Sequence, residues 1–264
     1  MNDRKFFKDK VIIITGASSG IGREAAMTFA RSGARVVIAS RNEVKLTALQ
    51  NEILSNGGQA LMVRTDITVF DDVQRLIKAT IEKWGKIDIV IANAGRYFQD
   101  YTQEISMQSY EQSLFVNFFG TLKVIKGALP QMRIQKSGHI VIVNSLDSKK
   151  GIIGDGPYVA AKAALDGFGD VLRQELKPEN IHVTSIYPAR VDTPMIEHLS
   201  VPWISPKIPP QKVVNAMIKG IKRNKSKVTV PSLLFVIGLL NHLSPRLADW
   251  SYRLFKIEGE RITG

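Results

Sequence analysis

Up to about residue 230 the chain is built from short apolar runs separated by amphipathic stretches. The first run, Val11-Ile12-Ile13-Ile14-Thr15, is β-branched throughout and too short for a buried helix, which predicts a central parallel strand. A glycine-rich turn, Gly16 to Gly22, leads into a helical stretch from Arg23 to Ala30. Further strands are expected at Ala34 to Ala39, Ala60 to Arg64, Ile87 to Ala92, His139 to Val143, His182 to Tyr187 and Val228 to Val230. Between them, helical periodicity covers Asn42 to Ser55, Asp71 to Trp84, Met107 through Asn117 to Met132, Tyr158 to Leu176, and Lys212 to Ile221. Strands and helices that alternate without an internal repeat predict an α/β fold, a doubly wound parallel sheet of about seven strands with helices on both faces.

Two stretches of this pattern carry chemistry. A strand, the turn Gly16-Ala17-Ser18-Ser19-Gly20-Ile21-Gly22 and a helix whose first N–H groups face that turn form a cradle for pyrophosphate. After the second strand, where an acidic residue would accept from a ribose hydroxyl, stand Ser40-Arg41, and a guanidinium suits a 2′-phosphate. Farther on, Tyr158 and Lys162 lie four residues apart on an Ala-rich helix, so their side chains share one face. A free phenol titrates near ~10, and a neighbouring ammonium moves it toward neutrality, which makes the pair a candidate general acid/base.

In chain order, the motifs resemble those of the short-chain dehydrogenases/reductases. They are Thr15-Gly16 through Gly22, Asp66-Ile67, Asn93-Ala94-Gly95, Asn117, Ser145 thirteen residues before Tyr158, Tyr158-x-x-x-Lys162, and Pro188-Ala189-Arg190-Val191-Asp192-Thr193. The resemblance covers roughly residues 8 to 230 and implies a single Rossmann-type domain over residues 1–230. It also implies a role for each matching residue. Tyr158 gives its proton to a substrate carbonyl as hydride leaves the nicotinamide, and Ser145 donates to the same oxygen. Lys162 lowers the Tyr158 pKa and holds the nicotinamide ribose, while Asn117 holds a water linking Lys162 to solvent. The cofactor, expected to be NADP(H), is held by the turn (Gly16, Ser18, Ser19, Gly20, Ile21, Gly22), Ser40, Arg41 and Asp66-Ile67 at the adenine. Asn93, Ala94, Gly95, Tyr158, Lys162, Pro188, Val191 and Thr193 complete that set, Thr193 being equally able to cap a helix. Two positions depart from the family's pattern, Ala189 in place of Gly and Asn144 before Ser145.

Composition adds three constraints. The 264 residues are 44% hydrophobic, enough for a sizeable core, and contain no cysteine, which excludes disulfides, thiolate catalysis and Cys-ligated zinc; no metal is expected. The polar N-terminus and the lack of a run of ~20 apolar residues point to a cytoplasmic protein. The net charge of +12 is concentrated between His198 and Ala248, where Lys207, Lys212, Lys219, Lys222, Arg223, Lys225, Lys227 and Arg246 meet no acid. That implies an anionic partner, and the absence of aromatic-interleaved basic motifs argues against nucleic acid.

The Pro-rich apolar segment 194–210 reads as a substrate lid that suits an apolar carbonyl or alcohol. The arm 231–264, apolar from Leu233 to Leu240 and again at Trp250, Leu254 and Phe255, fits a peripheral anchor on anionic membrane, a cover over the active-site mouth, or a homodimer or homotetramer contact. The functions in contention are reduction of a lipid-like ketone such as a long-chain 3-keto compound or a sterol, small-metabolite carbonyl or alcohol chemistry, and non-enzymatic nucleotide or nucleic-acid binding.

Overall fold

The computed structural model describes residues 3–99, 101, 107–197, 199, 205–255 and 257. Seven strands form one parallel sheet: β1 (Val11–Thr15), β2 (Arg35–Ser40), β3 (Gln59–Arg64), β4 (Ile89–Ala92), β5 (Gly138–Val143), β6 (Ile181–Pro188) and β7 (Lys227–Val230). Their order is β3-β2-β1-β4-β5-β6-β7. Successive strands therefore run outward in opposite directions from the β1/β4 boundary, and the crevice beyond the carboxyl ends of these two strands is where such sheets bind ligands. The register sets Ile12, Ile13 and Ile14 against Ile89, Val90 and Ile91.

Helices cover both faces. Ile12 and Ile14 face a core with α2 (Gly20–Arg31), α3 (Glu43–Ser55) and α8 (Pro210–Lys222). Val11 and Ile13 face a second core with α4 (Phe70–Trp84), α6 (Gly120–Gln135) and α7 (Gly156–Leu176). Every β1 side chain is buried, which is why the strand reads as an unbroken apolar run.

Three elements differ from the sequence-based expectation. A short helix, α1 (Asp3–Phe7), precedes β1 and buries Phe7 edge-on against Phe29 at 4.9 Å; one turn is too short to show a helical period. α2 begins at Gly20 rather than Arg23, so the last glycines of the turn form its first turn. The expected continuous helix from Met107 to Met132 is α5 (Met107–Ser113), a π-helical segment Leu114–Phe119 and α6. The wider turn falls at Asn117, consistent with the association of π-bulges with functional sites.

The basic run does not form one surface with the arm. α8 ends at the amino edge of the sheet, where Lys222 meets Asp3 at 2.6 Å, and Lys227 pairs with Asp170 at 2.7 Å. The arm leaves the carboxyl edge after β7 as α9 (Phe235–Leu243) and α10 (Pro245–Leu254). Parallel connection of α8 to β7 thus carries Lys219, Lys222, Arg223 and Lys225 away from Leu233 to Phe255. Among the described residues no helix is long and apolar enough to cross a membrane.

Candidate active site

A cleft of about 670 Å³ opens at the β1/β4 boundary. One side is the turn Gly16, Ser18, Ser19, Gly20 and Ile21; Ser40, Arg41, Asp66 and Ile67 form the far end, and Asn93, Ala94, Gly95 and Thr193 the near end. Gly22 lies beneath the turn, buried in α2. Ser19 is the α2 N-cap, but its side chain makes no capping bond, so the helix presents its first N–H groups to the cleft. Close approach requires glycine at the turn. A Cβ on Gly16, whose φ is +67°, would lie 2.8 Å from Ala94 Cα, and one on Gly22 would lie 2.2 Å from the Gly16 carbonyl oxygen.

Thr15 ties the two strands together: its Oγ1 accepts from the N–H groups of Asn93 and Ala94, both at 3.1 Å, and Asn93 Nδ2 donates to Thr15 O at 2.9 Å. At the far end Asp66 Oδ1 accepts from the N–H and hydroxyl of Thr68, and Arg41, with a 72% exposed side chain, reaches within 4.0 Å of Asp66 Oδ2. Backbone close to the cleft, free helix N–H groups and an arginine beyond β2 fit a dinucleotide.

A narrower pocket of about 120 Å³ adjoins the cleft and is lined by Ser145, Tyr158, Lys162, Pro188 and Val191 among others. Ser145 follows β5, and α7 starts at Gly156 with Pro157 in its first turn, so Tyr158 stands at the carboxyl edge of the sheet and Lys162 one turn lower on the same face. Lys162 Nζ donates to Val143 O at 2.9 Å and lies 5.6 Å from the Tyr158 ring centre. Thr193 does not cap the one-turn helix Pro194–Ile196 with its side chain; its Oγ1 donates to Val191 O. Val191 bridges to Ile208, which pins both ends of the 194–210 segment, and Leu199 within it is buried. Val201, Pro202, Trp203 and Ile204 lie outside the described residues.

Burial pushes the Tyr158 phenol up, Asp147 and Asp155 push it further, and Ser145 is the one opposing influence. The Lys162 ammonium is itself desolvated, its pKa lowered to about 8. Asn117 spends its amide on the loop after β4, accepting from Arg96 N–H at 2.9 Å and donating to Arg96 O at 2.8 Å, and its own carbonyl accepts from Thr121 Oγ1. Gly95 is required there, since a Cβ would lie 2.6 Å from Asn117 Oδ1.

Residues 10–201 match the sequence model of the short chain dehydrogenase family. The chain belongs to the short-chain dehydrogenases/reductases. It is 38% identical over 195 residues to an uncharacterized oxidoreductase of Listeria monocytogenes, covering 73% of this chain and 79% of that one. It is 34% identical over 226 residues to a fatty acyl-CoA reductase of Acinetobacter baylyi, covering 83% of this chain and 77% of the relative. The solved actinorhodin polyketide ketoreductase with NADPH superposes with a TM-score of 0.79 at 26% identity, over 89% of this chain and 99% of that one. Membership makes the protein an NAD(P)-dependent oxidoreductase of CH–OH and C=O groups.

Around Ser145 and Tyr158 lies a polar cluster that sequence reasoning did not single out. Ser145 Oγ donates to Asp147 Oδ2 at 2.9 Å, and Tyr97 OH donates to Asp155 Oδ1 at 2.5 Å while its ring meets Tyr158 edge-on at 5.2 Å. Burial raises the Asp155 carboxyl to about 7, with Asp147 adding to the shift and the Tyr97 bond and Arg190 opposing it. Asn144, the departure before Ser145, accepts from Ser145 N–H at 2.9 Å and keeps a buried Nδ2 with no partner beside the pocket. The signal available in the sequence was two aspartates between Ser145 and Tyr158, Asp147 and Asp155.

Proposed function

We propose that the protein reduces a lipid-like carbonyl compound with NADPH, of the class of long-chain 3-keto compounds or sterols. The observation that carries this reading is the wall of the pocket that holds Ser145 and Tyr158: Ile152, Met195, Ile196 and Leu199 line it. The arm stands close beside it. Asn241 Nδ2 donates to Lys149 O at 3.1 Å, Lys150 pairs with Asp249 at 2.6 Å, and burial with the Asp147 charge holds the Tyr252 phenol up at about 12 against the pull of Arg190. The fatty acyl-CoA reductase relative supports an acyl-chain substrate.

A dinucleotide in the cleft supplies the hydride. Tyr158 gives its proton to the substrate oxygen, Ser145 donates a hydrogen bond to the same atom, and Lys162 keeps that wall of the pocket cationic below about pH 8. Arg41 beyond β2 favours the 2′-phosphate form. One charge-assisted hydrogen bond there contributes about 1.5–3 kcal/mol, hence roughly ten- to a hundredfold in affinity. The polar cluster and the small volume of the pocket favour a second reading, a compact polar carbonyl substrate.

Consumption of NADPH and NADH across a series of ketones of increasing chain length separates the two. The lipid reading expects kcat/KM to rise with chain length and NADPH to be preferred, with the preference lost in Arg41→Ala; activity confined to the shortest polar members establishes the second reading.

The outer face of the arm is apolar and open, with Leu233 75%, Leu243 72% and Trp250 59% exposed, and Arg246 and Arg253 beside them. In the proposed function this face rests on lipid near the substrate's entry. Flotation of the full chain with vesicles containing acidic phospholipid is the check, and a protein that stays at the bottom of the gradient as a dimer or tetramer assigns the face to a second subunit.

A further inference from the structure

Ser145 has one proton, and in this structure it is committed inside the protein. Its Oγ donates to Asp147 Oδ2 at 2.9 Å and accepts from the Asp147 N–H at 3.2 Å. A carboxylate is an acceptor only and holds a hydroxyl donor more tightly than a neutral carbonyl does. While Asp147 is ionised, a substrate oxygen in the pocket meets the lone pairs of Ser145. Once Asp147 carries a proton it becomes the donor, Ser145 Oγ accepts, and the hydroxyl proton is free to turn toward the substrate.

We propose that Asp147 is a positioning residue of the reductase, whose carboxyl decides whether Ser145 donates to the substrate or to the protein, so that carbonyl reduction requires Asp147 in its protonated form. The proposal rests on Ser145 being the second donor to the substrate oxygen. The groups around Asp147 come from several elements: Tyr158 and Lys162 on α7 and Asp155 at its start, Tyr97 after β4, Arg190 after β6, and Tyr252 on α10. Arg190, Lys162 and the Ser145 bond favour the carboxylate, but burial outweighs them and the carboxyl is raised above the ordinary aspartate range.

An acid with a raised pKa keeps its proton to higher pH, so the competent form is complete below that pKa and is lost tenfold per pH unit above it. Reduction also requires the Tyr158 proton, which gives wild-type kcat/KM a second break on the alkaline side.

The test is the pH profile of kcat/KM for NADPH-dependent reduction of a 3-keto ester by wild type and by Asp147→Asn, whose amide does not titrate. Asp147→Asn should lack one break that the wild type shows, while those set by Asp155, Lys162 and Tyr158 remain in both. A profile that is uniformly lower with every wild-type break intact would mean a structural role only and overturns the proposal. Carboxyl-carbon NMR of the wild type, with the Asp147 resonance assigned by difference, is a readout independent of turnover. Its midpoint should coincide with the lost break and shift in Ser145→Ala, whereas titration near the ordinary ~4 of an aspartate overturns the proposal. A wild type that reduces no carbonyl compound, yet shows a raised Asp147 midpoint sensitive to Ser145→Ala, would refute the reductase reading and leave the coupling of the two residues standing.

Discussion

Tyr158→Phe should abolish carbonyl reduction while dinucleotide affinity stays within about twofold of wild type. The substitution removes one hydroxyl and little else. The ring is 9% exposed and packs edge-on against Tyr97 at 5.2 Å, contacts that a phenylalanine keeps. A positioned general acid contributes about 10²–10⁴ in rate, which corresponds to roughly 3–5.5 kcal/mol of barrier. The raised phenol fits the reductive direction, because burial and the neighbouring Asp147 and Asp155 make Tyr158 hold its proton until an alkoxide is ready to take it. Single-turnover NADPH oxidation and fluorescence titration of the cofactor measure the two quantities separately. A variant that retained more than about a tenth of the wild-type rate, a barrier change under ~1.4 kcal/mol, would remove Tyr158 from the donor role.

The sheet was readable because its strands are buried on both faces. A strand such as Val11 to Thr15 can only be an apolar β-branched run when helices pack above and below it, and that constraint leaves its trace in the sequence. The glycine turn was readable for a similar reason: Gly16 sits at positive φ with backbone 2.8 Å from its missing Cβ, so the geometry tolerates one residue type. Helical spacing put Tyr158 and Lys162 on one face, but the carboxyls around the phenol left no sign in it. The dominant influence on the phenol is burial together with two carboxyls, one from the β5 loop and one from the start of α7, and three-dimensional proximity of that kind has no sequence period. The eight basic residues between His198 and Ala248 are close along the chain, and the fold divides them. α8 and β7 traverse the height of the sheet between them, so one part of the run reaches the edge that holds Asp3 and the other stays with the arm. Asn117 gave no hint of the π-helical segment around it, because a widened turn in an apolar helix depends on what its released backbone groups meet, here Thr121 at the Asn117 carbonyl.

Gly22→Ala should be the most damaging single change to cofactor binding. The added methyl would lie 2.2 Å from Gly16 O, 2.8 Å from Gly16 C and 2.7 Å from Asn93 Nδ2. None of these atoms is the free end of a flexible side chain. Gly16 is fixed at φ +67° against Ala94, and Asn93 Nδ2 is engaged with Thr15 O at 2.9 Å, so room is made only by lifting the turn away from α2 or by breaking the bonds that join β1 to the loop after β4. Overpacking of this kind costs about 1–3 kcal/mol of stability. For a domain of this size that is a fall in Tm of roughly 2–12 °C. The loss in binding should be larger than the loss in stability, since the turn that moves is the one that must lie against the dinucleotide, and a hundredfold weakening corresponds to about 2.7 kcal/mol. Gly57→Ala is the comparison: its φ of +73° strains an added Cβ by about 1–2 kcal/mol, but nothing lies within 4 Å and the cleft is elsewhere, so stability should fall with affinity unchanged. Thermal melts and NADPH titrations on both variants decide the matter. Near wild-type affinity in a folded Gly22→Ala protein would mean that the turn does not cradle the cofactor.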